Sequence, residues 1–295
     1  MKLRRVAAPD FDLEKTLNCG QVFHWQKIGD AYYGTIGSLP VRLEQDDNQL
    51  IISAPGELDG LKPSSFERQG DIIAAVRHYL ALDHPLADIC RSFPRDVALD
   101  AAKKFCQGLR IIRQPRWECL ATFICSSMKQ VAHIRQISLA LRKRFGTERM
   151  IYVSHVYDFP SAERLGRSNE GELRECALGY RAKNLLATAR RVAAGDADLD
   201  GWSQLPDEEL RERLCELPGV GAKVANCVML FAYERLRAFP IDVWIERVLK
   251  QQYFPRKRNV TAYQLREFCG RYFGENGGYA QQYLFHHARV NRRGR

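Results

Sequence analysis

LPGVGAKVANC, residues 217–227, sets a proline and two glycines directly before a lysine and a run of helix formers. DEELRERLCEL (207–217) leads into it, and its acidic start is the charge pattern of a helix N-terminus. Pro218 ends that helix, since it has no N–H to give and disfavours the helical conformation in the residue before it. Gly219 and Gly221 permit a tight turn with exposed backbone N–H groups. AKVANCVMLFAYE (222–234) then resumes a helix. The stretch predicts two helices joined by a short turn, with Lys223 in the first turn of the second.

Free N–H groups at a helix N-terminus suit a phosphate, and a contact made through backbone reads no base sequence. A nucleotide-binding P-loop is excluded. Its G-x-x-x-x-G-K-[ST] spacing is absent, and a helix rather than a strand comes first. A plain helical hairpin would also explain Gly-x-Gly by itself. The flanking Leu217 and Pro218, and the charge around them, favour a helix–hairpin–helix that holds a DNA phosphate at Gly219 and Gly221. Net charge over 295 residues is +10, and it is unevenly spread. Residues 1–100 carry 11 Lys and Arg against 15 Asp and Glu, whereas residues 101–295 carry 34 against 20. A basic excess confined to one part of the chain points to a polyanionic partner.

Lys223 has three readings: a solvated charge, a phosphate anchor or a nucleophile. A cation at the positive end of a helix is mildly unfavourable, and a neutral amine is nucleophilic. FPIDVWIERVLK (239–250) follows, with Asp242 after a proline-containing turn and before another helix. Asp is a common N-cap, so capping alone could explain it. The alternative is a carboxylate facing the lysine across a cleft. Lys223, the hairpin and the Pro-x-Asp turn together are far more specific than any one of them.

Outward from this centre the chain divides in character. Residues 21–53 read as an antiparallel meander, VFHWQKI, AYYGTIG, VRLEQ and QLIIS, broken by Gly, Pro, Asp and Asn. DIIAAVRHYLAL (71–82) has helical spacing. From about residue 100 the pattern is helical: WECLATFICSS (117–127) is apolar nearly all round, VAHIRQISLALRKRF (131–145) is amphipathic, and RAKNLLATARRVAAG (181–195) closes on Gly195. The expected fold is α+β, with a β-rich domain over 1–100 packed on an all-helical domain over 101–295 that ends in a basic tail. Nine cysteines without a C-x-x-C pair argue against a disulfide framework or zinc ribbon. No segment resembles a signal peptide or membrane span. These features imply an intracellular protein, cytoplasmic in a bacterium or nuclear in a eukaryote.

At this point the chain resembles the helix–hairpin–helix DNA glycosylases, and within them the 8-oxoguanine DNA glycosylases of the eukaryotic type. The stretches that carry the likeness are NCGQVFHW (18–25), RIIRQPRWECLATFICSS (110–127), LGYRAKNL (178–185), LPGVGAKVANC (217–227), FPIDVW (239–244) and YAQQYLF (279–285). The resemblance implies a bifunctional glycosylase and lyase acting as a monomer on double-stranded DNA that contains oxidised guanine. Lys223 would be the nucleophile and Asp242 the catalytic carboxylate. Gly20 would offer its carbonyl to N7–H of the lesion, a hydrogen that guanine lacks. Cys227 and Phe285 would sandwich the flipped base, and Gln281 would read its Watson–Crick edge. Core packing is the plain alternative for Cys227 and Phe285. Tyr180 would wedge the opened base step, and Arg181 would bond the widowed cytosine.

The chain also departs from the family. CSSMKQ puts Met128 where an asparagine usually fills the gap left by the flipped base. His133 replaces a second cytosine-reading arginine, and Trp244 replaces a phosphate-contacting histidine. Relaxed selectivity for the opposite base is therefore expected. Endonuclease III-type relatives share the Lys and Asp but carry an iron–sulfur cluster on four close cysteines; after Asp242 this chain has only Cys269, so no metal or cofactor is expected. A glycosylase for another damaged base is one alternative. A non-catalytic DNA-binding module is another, and it would need the hairpin but not Lys223, Asp242 or Gly20.

Overall fold

Turn chemistry builds the first layer. The computed structural model describes residues 2–55, 72–257 and 259–291. Strands β1 (Lys2–Ala7), β2 (Gln26–Ile28), β3 (Ala31–Ile36), β4 (Leu39–Asp46) and β5 (Gln49–Ala54) form one antiparallel sheet in the order β1-β5-β4-β3-β2. Two-residue turns join β2 to β5 in sequence, opening on Gly29, Gly37 and Asp47, each at positive φ. Such turns match the twist of a hairpin and need left-handed residues, which Gly and Asp supply most readily. Val41, Leu43, Leu50 and Ile52 are fully buried on the inner face, against Val76 and Tyr79 of the helix Ile72–Tyr79. Trp25 packs against Gly34, where a Cβ would stand 2.7 Å from its ring.

Two strands differ from the sequence expectation. VFHW (22–25) is a buried irregular segment before β2 rather than a strand. The basic N-terminal stretch is β1, paired along its length with β5.

The helical body is centred on Arg116–Cys125, whose residues from Glu118 to Cys125 are all buried. Around it lie Val131–Phe145, Arg181–Ala193, Asp207–Cys215, Ala222–Ala232, Val243–Gln252 and Gly277–Asn291. One element departs from an all-helical reading: strands β6 (Glu148–Ile151) and β7 (Ser154–Tyr157) form a hairpin beside β3 and β4. Arg142 ties the layers together. Its buried guanidinium pairs with Glu118 and donates to Thr35 Oγ1 of β3 at 3.0 Å and to the Tyr157 carbonyl of β7 at 2.9 Å.

The two hydrophobic cores interleave along the chain. The helical core takes in Cys19 and Phe23 from the N-terminal side, as well as Leu86, Ile89, Phe93 and Leu99, while the sheet core takes Ile112. The Gly277–Asn291 helix fastens this arrangement. Gln282 Nε2 donates to the Cys19 carbonyl at 3.1 Å, Arg289 donates to the Asn18 carbonyl, and Tyr283 donates to the Leu109 carbonyl at 2.9 Å. The loop that carries Gly20 is thereby held against the helical body.

Candidate active site

The hairpin forms as its residues require. Helix Asp207–Cys215 ends, the chain turns through Gly219 at φ +83°, and Gly221 starts Ala222–Ala232. A Cβ on Gly219 would meet Asn184 Cβ at 2.9 Å and Ile124 Cγ2 at 3.2 Å, so backbone angle and space both demand glycine. Thr188 Oγ1 anchors the turn by donating to the Pro218 carbonyl at 2.9 Å. Gly221 caps the helix with no side-chain acceptor, and both it and Ala222 are exposed. The first N–H groups of a helix have no intrahelical partner, and with Gly221 and Ala222 at the surface this end is suited to an anion.

Lys223 and Asp242 line one cleft. Lys223 Nζ donates to Ser126 Oγ at 3.1 Å and lies 5.2 Å from the centre of the Phe123 ring. Asp242 is the N-cap of Val243–Gln252, its Oδ1 accepting from Ile245 N at 2.8 Å. Its two readings are compatible, because the residue that caps the helix also lines the cleft. Burial pushes this carboxyl above the usual range, while the Ile245 N–H and the Lys223 charge pull the other way.

The residues expected to recognise the base gather at the same place. Cys227 follows Lys223 by four residues and shares its helix face. It is buried, and burial pushes its thiol up to about 11, against the pull of Lys223. Cys227 is therefore a neutral wall near pH 7. Gly20 enters from the N-terminal loop at φ +93°, where a Cβ would stand 3.1 Å from Phe285 Cε1. Gln281 and Phe285 come from one face of the Gly277–Asn291 helix. Gln281 is 4% exposed, and its Oε1 accepts no hydrogen bond among the described residues. A buried acceptor left open costs free energy unless a ligand fills it.

Gly20→Ala follows as a test. Alanine at this φ is strained and would crowd Phe285. Single-turnover base release should fall roughly 10-fold or more, since such strain costs about 1–3 kcal/mol. Affinity for undamaged duplex should be unchanged. Release at the wild-type rate would show that Gly20 does not shape the pocket.

The residues expected to meet the opposite base behave differently. Met128 is 94% exposed at φ +54°, Tyr180 is 59% exposed, and His133 is exposed near the start of Val131–Phe145. Val131, on the first turn of that helix, lies against Gly20. Arg181 is turned inward. Its Nε donates to the Ser127 carbonyl at 2.8 Å, its Nη2 donates to the same oxygen, and its Nη1 reaches the Leu178 carbonyl at 3.3 Å. Its guanidinium carbon sits 4.3 Å from the Tyr180 ring centre. The side chain expected to meet cytosine is thus folded back in this state. Trp244 is half-buried on Val243–Gln252, with Arg247 5.6 Å from its ring centre.

Sequence reasoning did not single out Ser126, Phe123 or Arg289. Ser126 holds the lysine, Phe123 floors the cleft, and Arg289 lies 5.7 Å from the centre of the Phe285 ring. The first two stand inside a quoted family stretch, but nothing in their spacing marks them. Among the described residues, no group of three His, Cys, Asp or Glu could hold a metal, and no helix is long and apolar enough to cross a membrane.

A helix–hairpin–helix beside a Lys–Asp cleft, which Gly20 of the N-terminal loop also lines, is an arrangement suited to a base-excision DNA repair enzyme. Residues 121–271 match the HhH-GPD superfamily of base excision DNA repair proteins, and residues 5–120 match the N-terminal domain of 8-oxoguanine DNA glycosylase. The chain belongs to the 8-oxoguanine DNA glycosylases of the HhH-GPD superfamily. It is 30% identical to the N-glycosylase/DNA lyase OGG1 of Arabidopsis thaliana, over 94% of this chain and 77% of that one. MBOgg1, solved in complex with a low-affinity DNA ligand, superposes with a TM-score of 0.88 at 30% identity over 99% of both chains. The 8-oxoguanine glycosylase/lyase of Clostridium acetobutylicum, solved with duplex DNA carrying cytosine opposite 8-oxoguanine, gives 0.85 at 27% identity, again over 99% of both.

Proposed function

We propose that this chain releases 8-oxoguanine from duplex DNA and then cuts the strand, with Lys223 as nucleophile and Asp242 as the carboxylate that stabilises the sugar cation. The observation that carries this reading is the cleft itself. It brings a lysine, a half-buried carboxylate and an open buried acceptor, Gln281 Oε1, to one place on the helix that the glycine turn starts and its neighbours.

The chemistry follows from those groups. The lone pair of Lys223 Nζ forms a bond to C1′ as the bond from C1′ to the base breaks. The bonding pair leaves with the base, which takes up a proton from water. Positive charge on the sugar is stabilised by the nearby carboxylate of Asp242. The adduct nitrogen gives a proton to water, its lone pair forms the C1′=N bond of a Schiff base, and the C1′–O4′ pair leaves with O4′, which takes up a proton from water. Removal of a C2′ proton then expels the 3′ phosphate and nicks the strand. Base discrimination rests on Gly20, whose carbonyl would accept from N7–H of the lesion and repel the N7 lone pair of guanine. Gln281 Oε1 would accept from the Watson–Crick edge, between Cys227 and Phe285. Incubation with duplexes carrying 8-oxoguanine opposite each normal base, scored for release, nicking and borohydride trapping, tests the reading. A chain that binds lesion DNA without release or trapping would be a binding module instead.

Selectivity for the opposite base is expected to be relaxed, because Met128 and His133 depart from the family pattern. His133 is shorter than arginine, and Met128 fills space without hydrogen bonding to a particular base. One bidentate base contact gives about 1–3 kcal/mol of discrimination, so losing one relaxes selectivity by roughly 5- to 150-fold. The enzyme should prefer cytosine opposite the lesion, yet accept thymine, guanine or adenine better than two-arginine relatives do. His133→Arg with Met128→Asn should sharpen the preference. Single-turnover rates on the four duplexes decide it, and a wild-type preference as steep as that of a two-arginine enzyme would rule it out.

A further inference from the structure

The turn that follows helix Arg116–Cys125 holds two functional side chains at adjacent residues. Ser126, 5% exposed, accepts from Lys223 Nζ at 3.1 Å, while its own Oγ donates to the Phe123 carbonyl at 2.7 Å. Ser127 offers its carbonyl to two nitrogens of Arg181. Met128 completes the turn at positive φ with its side chain in solvent.

A hydroxyl has one proton, and that of Ser126 is committed to Phe123. Ser126 can therefore meet Lys223 only as an acceptor. One N–H of the amine is fixed toward Ser126, so the lone pair of the neutral amine points elsewhere. Arg181 is constrained in the same way. Its Nε and Nη2 are both given to Ser127, and they can reach a base only by leaving that carbonyl.

We propose that the Ser126–Ser127 turn couples recognition of the base opposite the lesion to the position of the nucleophile, with Ser126 as a positioning residue for Lys223. The proposal rests on reading Lys223 as the nucleophile and Arg181 as the cytosine reader. An opposite cytosine draws the guanidinium off Ser127, which frees the turn and lets Ser126 carry the amine toward C1′. A base that does not recruit Arg181 leaves the turn latched and the amine tethered. Discrimination then appears in the rate of chemistry more than in affinity.

A double-mutant cycle tests this, because groups in one network give non-additive effects and independent groups do not. Wild type, Ser126→Ala, Arg181→Gln and the double variant are compared under single-turnover conditions, with 8-oxoguanine opposite cytosine and opposite adenine. Rates are taken per active molecule, counted by borohydride-trapped adduct, so that loss of folded protein does not enter. Affinity for the lesion duplex is measured separately. Ser126→Ala should slow release opposite cytosine about 3- to 10-fold, the worth of one hydrogen bond, without changing affinity. It should also shrink the ratio of rates between cytosine and adenine, and the double variant should be no slower than the slower single one. Effects that simply multiply, or a wild-type ratio retained in Ser126→Ala, would overturn the coupling while leaving the enzyme's activity intact. Wild-type protein that releases no 8-oxoguanine would instead overturn the reading beneath it, and the coupling with it.

Discussion

Lys223→Gln should release no measurable base and give no borohydride-trapped adduct, a loss of roughly three orders of magnitude or more, as for other essential nucleophiles. Glutamine is close in length and still presents an N–H to Ser126 Oγ, so the packing around Phe123 survives. What disappears is the amine lone pair. Binding to DNA should persist, because phosphate is expected at the N–H groups after Gly219 and Gly221 rather than at the side chain. Single-turnover release and gel-shift affinity measured together separate the two roles. A Gln variant that cuts at the wild-type rate would remove Lys223 from the mechanism.

Asp242→Asn should reduce base release by roughly 10²- to 10³-fold, the range seen when one stabilising group is taken from a developing charge. The substitution is informative because Asn caps a helix about as well as Asp. The bond from Ile245 N to Oδ1 can persist, so the melting temperature should hardly move. Asp242→Ala removes charge and cap together and should add a stability loss of about 1 kcal/mol. If Asn retains full activity per folded molecule and only Ala is impaired, Asp242 is a cap and nothing more.

How much of this was legible beforehand depended on how local the cause was. The hairpin was readable because Pro218, Gly219 and Gly221 impose their own backbone, and the Ala222–Ala232 helix starts where those residues allow. The strands β3 to β5 were readable from alternation and turn residues. Strand β1 was not, because its arginines and lysine disguise an edge that pairs only once β5 is in place. The β6–β7 hairpin was hidden for the same reason: ERMIYVSHVY has little alternation, and the neighbouring sheet supports it. Gly20, Lys223, Asp242, Gln281 and Phe285 converge on one cleft, as the resemblance implies. The retracted Arg181 could not be foreseen, since its partner is a carbonyl 54 residues away. Ser126 was equally silent, because a serine after a buried helix is ordinary until Lys223 folds onto it.

The Gly277–Asn291 helix has a consequence in time. It supplies Gln281 and Phe285 and bolts down the loop that carries Gly20, yet the ribosome makes it after every other described helix. The turn at Gly219 and Gly221, expected to hold phosphate, and Lys223, the expected nucleophile, are thus synthesised before the residues expected to recognise the base. A chain cut short before Gly277 would keep Lys223 and Asp242 but lack Gln281 and Phe285, so base selection is expected to depend on the last helix.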